Sequence, residues 1–430
     1  MDRLFDTCAR LALCIAAAGG VASAGQVTAR LVAQLPVGHY QIYGLVEGSA
    51  GTFYSQADGD LVFSVTTQGS IVYLLTLPGY PQYPSLTNPP VSAANGLFYS
   101  NLGYTGGSTS YNVFSVSSAP DSEIVYPVNT YDPYFVQNLP DGDLLGFNIF
   151  QILKSDLNGN VIPIYQFSDG ARPYTLLYAT DGNYYGIAVV GGEVPTGYLY
   201  RLTPSGVLTK LYNFPDNSFG DPTYTGLLQA SDGNLYGSTP GCCKESGTIF
   251  KITLSGEYTL LHTFGENPIA SSDGLIEGSD GNLYGLLEGD GPGGYSALFR
   301  ITKSGDYEGL YHGGVLQCPC SLIQGSDGQL YVTAQSGNAV VLAFDAGLAK
   351  PAPLALSFSP KSGSVGTRVR IWGANLLSAS VQFNGVPTTT ASNSGSDYVW
   401  ATVPLGATTG PITVTTPGGT YRMRGSFTVR

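Results

Sequence analysis

Charged residues are scarce in this sequence: only 11% of its 430 residues are Asp, Glu, Lys or Arg. The 18 bases form no cluster, and against 30 acids they leave a net charge of −12. A phosphate backbone needs a basic stripe, so nucleic acid is excluded as a partner. Stretches rich in Ala, Leu, Glu and Lys are missing after residue 25, which excludes a helical fold. Also missing are a GxSxG elbow, an HExxH pair, a phosphate-cradling GxxxxGK(S/T) loop and CxxC pairs at zinc spacing. No cofactor is predicted.

Long apolar runs are missing as well, apart from the amino terminus, "MDRLFDTCARLALCIAAAGGVASAGQ". Arg3 and Arg10 precede an apolar stretch from Leu11 to Val21, and Ala22, Ser23 and Ala24 supply the small residues of a cleavage site. This predicts a secretory signal peptide over 1–24, with the apolar run too short for a stable membrane anchor. A lipidated Cys14 would want a small residue before it, where Leu13 is bulky. The mature chain is therefore expected outside the cytoplasm: extracellular, at the cell surface or in the periplasm. Four cysteines remain in it, Cys242, Cys243, Cys318 and Cys320. An even number in an exported chain predicts disulfides, within or between the two pairs. A four-thiolate metal site is the alternative, at a spacing unlike the usual zinc knuckles.

What the sequence does have is 58 Gly, 30 Tyr and many short runs of Val, Ile, Thr, Tyr and Phe broken by Gly, Asn, Asp and Pro, a pattern that predicts an all-β protein. One phrase recurs: "QASDGNLYGSTPG" from Gln229, "EGSDGNLYGLLEG" from Glu277 and "QGSDGQLYVTAQS" from Gln324. Seven copies end at Gly44, Ser100, Gly146, Gly186, Gly237, Gly285 and Val332, at spacings of 56, 46, 40, 51, 48 and 47 residues. Seven units with four short strand patterns each predict a seven-bladed β-propeller over 25–350. Within a unit, Asp and Gly of the phrase form the first turn, Asp bonding the backbone two residues on and Gly taking positive φ. The glycine ending "LYG" is expected to permit close approach of neighbouring blades or a twist. The seventh unit lacks a fourth strand. Residues 26–35, "QVTARLVAQL", are expected to supply it beside Val340 to Phe344, which removes an open sheet edge.

The grammar "SDGNLYG", then "GTIFKITLSG", then "LLHTF" resembles the Gloeo/Verruco-type tandem repeat of exported bacterial proteins, over roughly 26–349. The resemblance implies export and a propeller-like array, and brings no established catalytic residues. From Pro351 the repeat stops. The run "SPKSGSVGTRVRIWGANL", with "VQFNGV" and "VPLGATTGPITVTTPGG" after it, is similar to the IPT/TIG family of immunoglobulin-like domains. That implies a small β-sandwich over 351–430, used as a spacer or adhesion module. Its core is expected from Ile371, Trp372, Phe383, Val399, Val403, Ile412 and Val414.

Each histidine has a place in the repeat alignment. His262 stands where other units have Tyr165 and Tyr212, His312 takes the next position in its unit, and His39 falls at the turn aspartate. Asp141, Asp181, Asp232, Asp280 and Asp327 are turn formers rather than a carboxylate ring. "SDLNGN" from Ser155 has oxygen side chains at alternate positions, as a calcium loop would, but lacks the distal Glu. The face carrying both cysteine pairs also carries the variable insertions at 101–110, 187–197, 238–247 and 286–296. Binding usually lives on variable loops over a rigid ring, which makes Tyr104, Tyr198 and Tyr295 candidates for a ligand face. An exported non-catalytic scaffold binding a protein or glycan is the leading expectation. The competing class is an enzyme. The "DGNLY" phrases also resemble those of propeller lyases that open streptogramins, which would want a histidine and a metal near the axis. A carbohydrate-active enzyme would need a pair drawn from Glu193, Glu245, Glu288 and Asp290.

Overall fold

The computed structural model describes residues 27–39, 42–48, 51–57, 61–76, 90–92, 98–102, 112–116, 123–127, 134–139, 141–156, 160–190, 196–214, 226–239, 246–266, 269–270, 274–288, 296–313, 316–388, 391–392 and 398–430. Residues 1–24, where a signal peptide is expected, lie outside them. The described elements are all strands.

One unit shows how the repeated phrase folds. Leu227–Gln229, Leu235–Thr239, Ser246–Ile252 and Tyr258–Glu266 pair in chain order as one antiparallel sheet. Between the first two strands, the Asp232 carboxylate accepts the Asn234 amide at 3.1 Å, and Gly233 takes φ +85°. The second strand is buried along its whole length, as a strand covered on both faces must be. The fourth strand carries the exposed edge.

Among the described residues seven sheets follow this pattern in chain order, the sixth with an added short strand, Ile276–Glu277. Their first strands begin at Ile42, Val91, Tyr134, Ala171, Leu227, Ile269 and Gln317. The seventh sheet runs Gln317–Gln324, Leu330–Ser336, Asn338–Phe344, and its fourth strand is Ala29–Gln34, with Ala29 opposite Phe344. Apolar clusters lie between consecutive sheets. Tyr54 and Phe98 join the first to the second, and Phe147 and Tyr200 the third to the fourth. Phe53, Phe63, Tyr331 and Val341 join the first to the seventh, so the series of sheets closes on itself.

The first copy of the phrase is displaced from its expected place. "IYG" (Ile42 to Gly44) lies in the first strand, Ile42–Glu47, and the copy that leads into the second strand is "EGSAGTFYS", ending at Ser55. The first spacing becomes 45 residues (100 minus 55), closer to the others. His39 thus precedes the first strand instead of sitting at a turn aspartate. Its carbonyl accepts the Ala339 amide at 2.9 Å. Periodic Tyr-Gly pairs occur on first and second strands alike, and only pairing separates them.

The phrase-ending glycine has a more local role than expected. Gly186, Gly237 and Gly285 pair across the same sheet with Tyr200, Phe250 and Phe299. A Cβ on any of them would overlap that ring. The aromatic ring lies over the glycine of its own sheet, rather than a neighbouring blade approaching it.

Residues 354–430 form two further sheets. Leu354–Ser359, Arg368–Ala374, Tyr398–Thr402 and Ala391–Ser392 make one; Ser362–Gly363, Gly419–Val429, Gly410–Thr416, Ser380–Phe383 and Val386–Pro387 make the other. One core holds Ile371, Phe383, Val399, Val403, Ile412 and Val414. Trp372 is buried away from that core, because adjacent strand residues face opposite ways. Its ring packs under the Arg370 guanidinium, 4.1 Å away.

Candidate functional surfaces

The polar letters of the phrase are consumed by the architecture. Tyr185, Tyr236, Tyr284 and Tyr331 are buried rings whose hydroxyls donate to Asp181, Asp232, Asp280 and Asp327 at 2.7–2.9 Å. Burial alone would raise the carboxyl pKa of Asp181, Asp232 and Asp280, but bonds from the neighbouring asparagine and tyrosine hold each below its usual value. Asp141 has Leu145 in place of the tyrosine and pairs instead with Lys154 at 2.6 Å.

The Gln or Glu two residues ahead of the turn Ser or Thr reaches into the preceding sheet. Gln229 accepts the Thr180 amide at 2.8 Å, Glu277 accepts Ser231 at 2.7 Å, and Gln324 accepts Ser279 at 2.9 Å. Glu47 does the same across the closing seam, accepting the Ser326 amide at 2.8 Å and its hydroxyl at 2.7 Å. The phrase therefore encodes an inter-sheet lock. Its signal in the sequence was the recurring Gln or Glu, which turn chemistry alone does not explain.

The histidines are placed along outer strands and at the chain's entry. His262, on the fourth strand of the fifth sheet, stacks on Tyr307 of the sixth at 4.4 Å and 9°. Tyr212 and Tyr258 make the same stack one sheet earlier, at 4.4 Å and 6°. His312 ends the fourth strand of the sixth sheet, exposed. At "SDLNGN", the Asp156 carboxylate accepts the Asn160 amide at 2.9 Å and its side chain at 2.7 Å. No group of three or more His, Cys, Asp or Glu fit for a metal occurs among the described residues.

Of the predicted ligand face, Tyr104 and Tyr295 lie outside the described residues. Tyr198 is not presented to a ligand. It sits within strand Thr196–Leu202, 4% exposed, its hydroxyl donating to Asp169 at 3.1 Å and its ring covered by Lys210 at 3.8 Å. Cys242, Cys243, Glu193, Glu245 and Asp290 lie outside the described residues. Cys318 and Cys320 fall on strand Gln317–Gln324, and Glu288 ends strand Leu283–Glu288.

A different feature of the same face is described in full. In the third sheet the second and third strands, Leu144–Phe147 and Gln151–Ser155, are joined by a tight turn, Asn148 to Gln151. The Asn148 side-chain oxygen accepts the amides of Phe150 at 3.0 Å and Gln151 at 2.7 Å, and its nitrogen donates to Gln151 at 2.9 Å. The Phe150 carbonyl accepts the Phe167 amide at 2.9 Å. This well-bonded tip presents Ile149 and Phe150, 57% and 37% exposed, where turn chemistry favours polar residues. On the next sheet Arg172 lies 5.7 Å from the Phe150 ring, and Tyr174, two residues on, is 39% exposed. Apolar and aromatic side chains thus stand beside an arginine, a composition found at interface hot spots.

Residues 146–342 match the Gloeobacter/Verrucomicrobia repeat family. No curated protein matches the sequence. Among solved structures the chain resembles a streptogramin B lyase at TM-score 0.55 and 16% identity, covering 74% of this chain and 98% of that one. It also resembles the extracellular domain of a one-component system from B. thetaiotaomicron, at 0.54 and 14%, covering 93% and 52%. The WD40 propeller domain of Doa1 aligns at 0.51 and 12%, covering 74% and 97%. The array is propeller-like. A lyase and a WD40 domain share this fold, so fold alone leaves catalysis and binding both open.

Proposed function

We propose that the protein is an exported, non-catalytic scaffold. In this reading a seven-bladed propeller binds a protein partner through its loop face, and a C-terminal IPT/TIG-type immunoglobulin-like module acts as spacer or adhesion unit. The observation that carries the reading is the Ile149–Phe150 tip beside Arg172: two large apolar side chains held out to solvent by a turn pinned by the Asn148 side chain and by the Phe167 amide. Aromatic and arginine side chains at a rigid position are the composition of interface hot spots. The leader over 1–24 supports export, and the net charge of −12 suits a neutral or cationic surface. The four locks and the tyrosine–aspartate bonds give the loops a stiff platform.

The test is a cell-surface pull-down and a glycan array with residues 25–430, alongside Ile149→Ser with Phe150→Ser and a variant with loop 238–247 shortened. Protein capture lost in the double variant, at unchanged thermal midpoint, supports the reading. Capture retained by both variants sinks it for this face, and glycan binding lost in the double variant converts the partner to a carbohydrate.

A further inference from the structure

Charge is divided unevenly along the chain. Residues 351–430 hold six bases, Lys361, Arg368, Arg370, Arg422, Arg424 and Arg430, against one acid, Asp397. The first 350 residues hold 12 bases against 29 acids. The C-terminal segment is thus basic on a chain that is acidic as a whole.

One end of its two sheets also carries exposed apolar side chains, on two tight turns. The Thr367 amide donates to the Ser364 carbonyl at 3.0 Å, and the Ala407 amide to that of Pro404 at 3.2 Å. Each turn has glycine in third place at positive φ, Gly366 at +88° and Gly406 at +85°. Each has an apolar residue in second place, Val365 and Leu405, 47% and 86% exposed. The turns are tied together: the Gly366 amide donates to the Val403 carbonyl and the Val403 amide to that of Thr367, both at 2.9 Å. Turn tips usually carry polar residues, as Asn384 and Gly385 do between the paired Phe383 and Val386.

Two arginines flank this end. Arg368 opens strand Arg368–Ala374 directly after the first turn, and the Arg430 amide donates to the Gly363 carbonyl just before it, at 3.0 Å. Both are exposed, and neither pairs with an acid among the described residues. The chain arrives from the array at the other end of these sheets, where Leu354 pairs with Ala374 and Asn375 donates to the Ala352 carbonyl at 3.1 Å. The length of strand Leu354–Ser359 puts about 20 Å between that entry and the two turns.

We propose that this end docks on an anionic lipid bilayer, Val365 and Leu405 entering the headgroup boundary while Arg368 and Arg430 meet lipid phosphates. Apolar points flanked by bases are the makeup of an element that lies on such a surface. A free anionic polymer would draw on the arginines but would give the two apolar side chains nothing to enter. The acidic array is repelled by the same lipids, so charge selects which end of the chain approaches. The Ile149–Phe150 tip plays no part here, and protein capture by that tip can fail without affecting this proposal.

The test is sedimentation of residues 25–430, free of the apolar leader, with vesicles of phosphatidylglycerol and phosphatidylcholine in equal parts, against vesicles of phosphatidylcholine alone. Binding to the mixed vesicles only is expected, the opposite of what a net charge of −12 spread evenly would give. Leu405→Ser, at a side chain that packs on little else, is expected to weaken binding about tenfold or more. Arg368→Gln is expected to weaken it about fivefold and to flatten its dependence on salt. Val37→Ser, at an array residue also 86% exposed, is expected to bind as the wild type does. No binding at millimolar lipid, equal binding by Leu405→Ser and the wild type, or an equal loss in Val37→Ser would overturn the proposal. A wild-type dimer without vesicles that Leu405→Ser dissolves would overturn it in favour of a contact between copies.

Discussion

Replacing Glu47 by alanine opens the lock at the seam where the array closes. The carboxylate is 7% exposed and accepts the Ser326 amide at 2.8 Å, the Ser326 hydroxyl at 2.7 Å and the Gly51 amide at 3.0 Å. Hydrogen bonds to a charged group contribute about 1.5–3 kcal/mol each, so the two amides alone represent about 3–6 kcal/mol gross. Against that stands the cost of burying the carboxylate, which pushes its pKa above the usual value despite the bonds from Gly51 and Ser326. A net loss of about 2–4 kcal/mol is expected for Glu47→Ala. Urea unfolding followed by circular dichroism measures it in the array. Tryptophan fluorescence serves as an internal control, since both tryptophans, Trp372 and Trp400, lie in the C-terminal segment. Glu47→Gln separates charge from bonding. Gln324 shows that an amide in this position holds the turn serine, accepting the Ser279 amide at 2.9 Å and donating to its hydroxyl at 3.1 Å. Because the folded-state pKa of Glu47 is raised, the folded protein holds its proton more tightly than the unfolded chain. Wild-type stability relative to Glu47→Gln therefore falls as pH rises from about 4.5 through the folded pKa. A cost below about 0.5 kcal/mol for the alanine variant would refute the lock as a stabilising contact. A wild-type minus glutamine difference that does not change between about pH 4 and 7 would refute the burial argument.

Gly237→Ala pushes a methyl into the Phe250 ring and is expected to destabilise by about 1–3 kcal/mol, read from the thermal midpoint. Tyr284→Phe removes the hydroxyl bonded to Asp280 and should lose about 1–2 kcal/mol at neutral pH. Because that aspartate's pKa is lowered in the fold, its contribution is present above its unfolded pKa and fades as pH falls through the folded one, so the two proteins converge in acid. His262→Tyr restores the residue that other units place there and should lie within about 0.5 kcal/mol of wild type, while His262→Ala, losing the stack on Tyr307, costs about 1–2 kcal/mol by urea unfolding. A larger loss for tyrosine than for alanine would show that the stack is not what this position provides.

Much of the architecture is legible in the chain because its determinants are local. The Asp-Gly turn needs only a carboxylate bonding two residues on and a glycine at positive φ, and four strand runs between such turns fill one sheet. The lock was visible as a recurring Gln or Glu but not interpretable, because its partner lies in another unit, some 45 to 49 residues away in the interior pairs and 279 residues away at the closing seam. The register of the first unit was misread for a related reason: "QIYG" and "FYS" both fit a strand, and only pairing of Tyr43 with Gln56 and Val46 with Tyr54 tells first strand from second. Tyr198 looked available beside a variable loop, and its burial depends on Lys210 and Asp169, one on the next strand and one ahead of the first.

The sequence by itself determined the all-β class, the repeat and its turns, because period, glycine and side-chain-to-backbone bonds act within a few residues. Tertiary structure alone decided which polar letters lock neighbouring sheets, which tyrosines are sealed, and where Ile149 and Phe150 are held out. Those outcomes depend on which sheets come to lie side by side, a distance that no local pattern encodes.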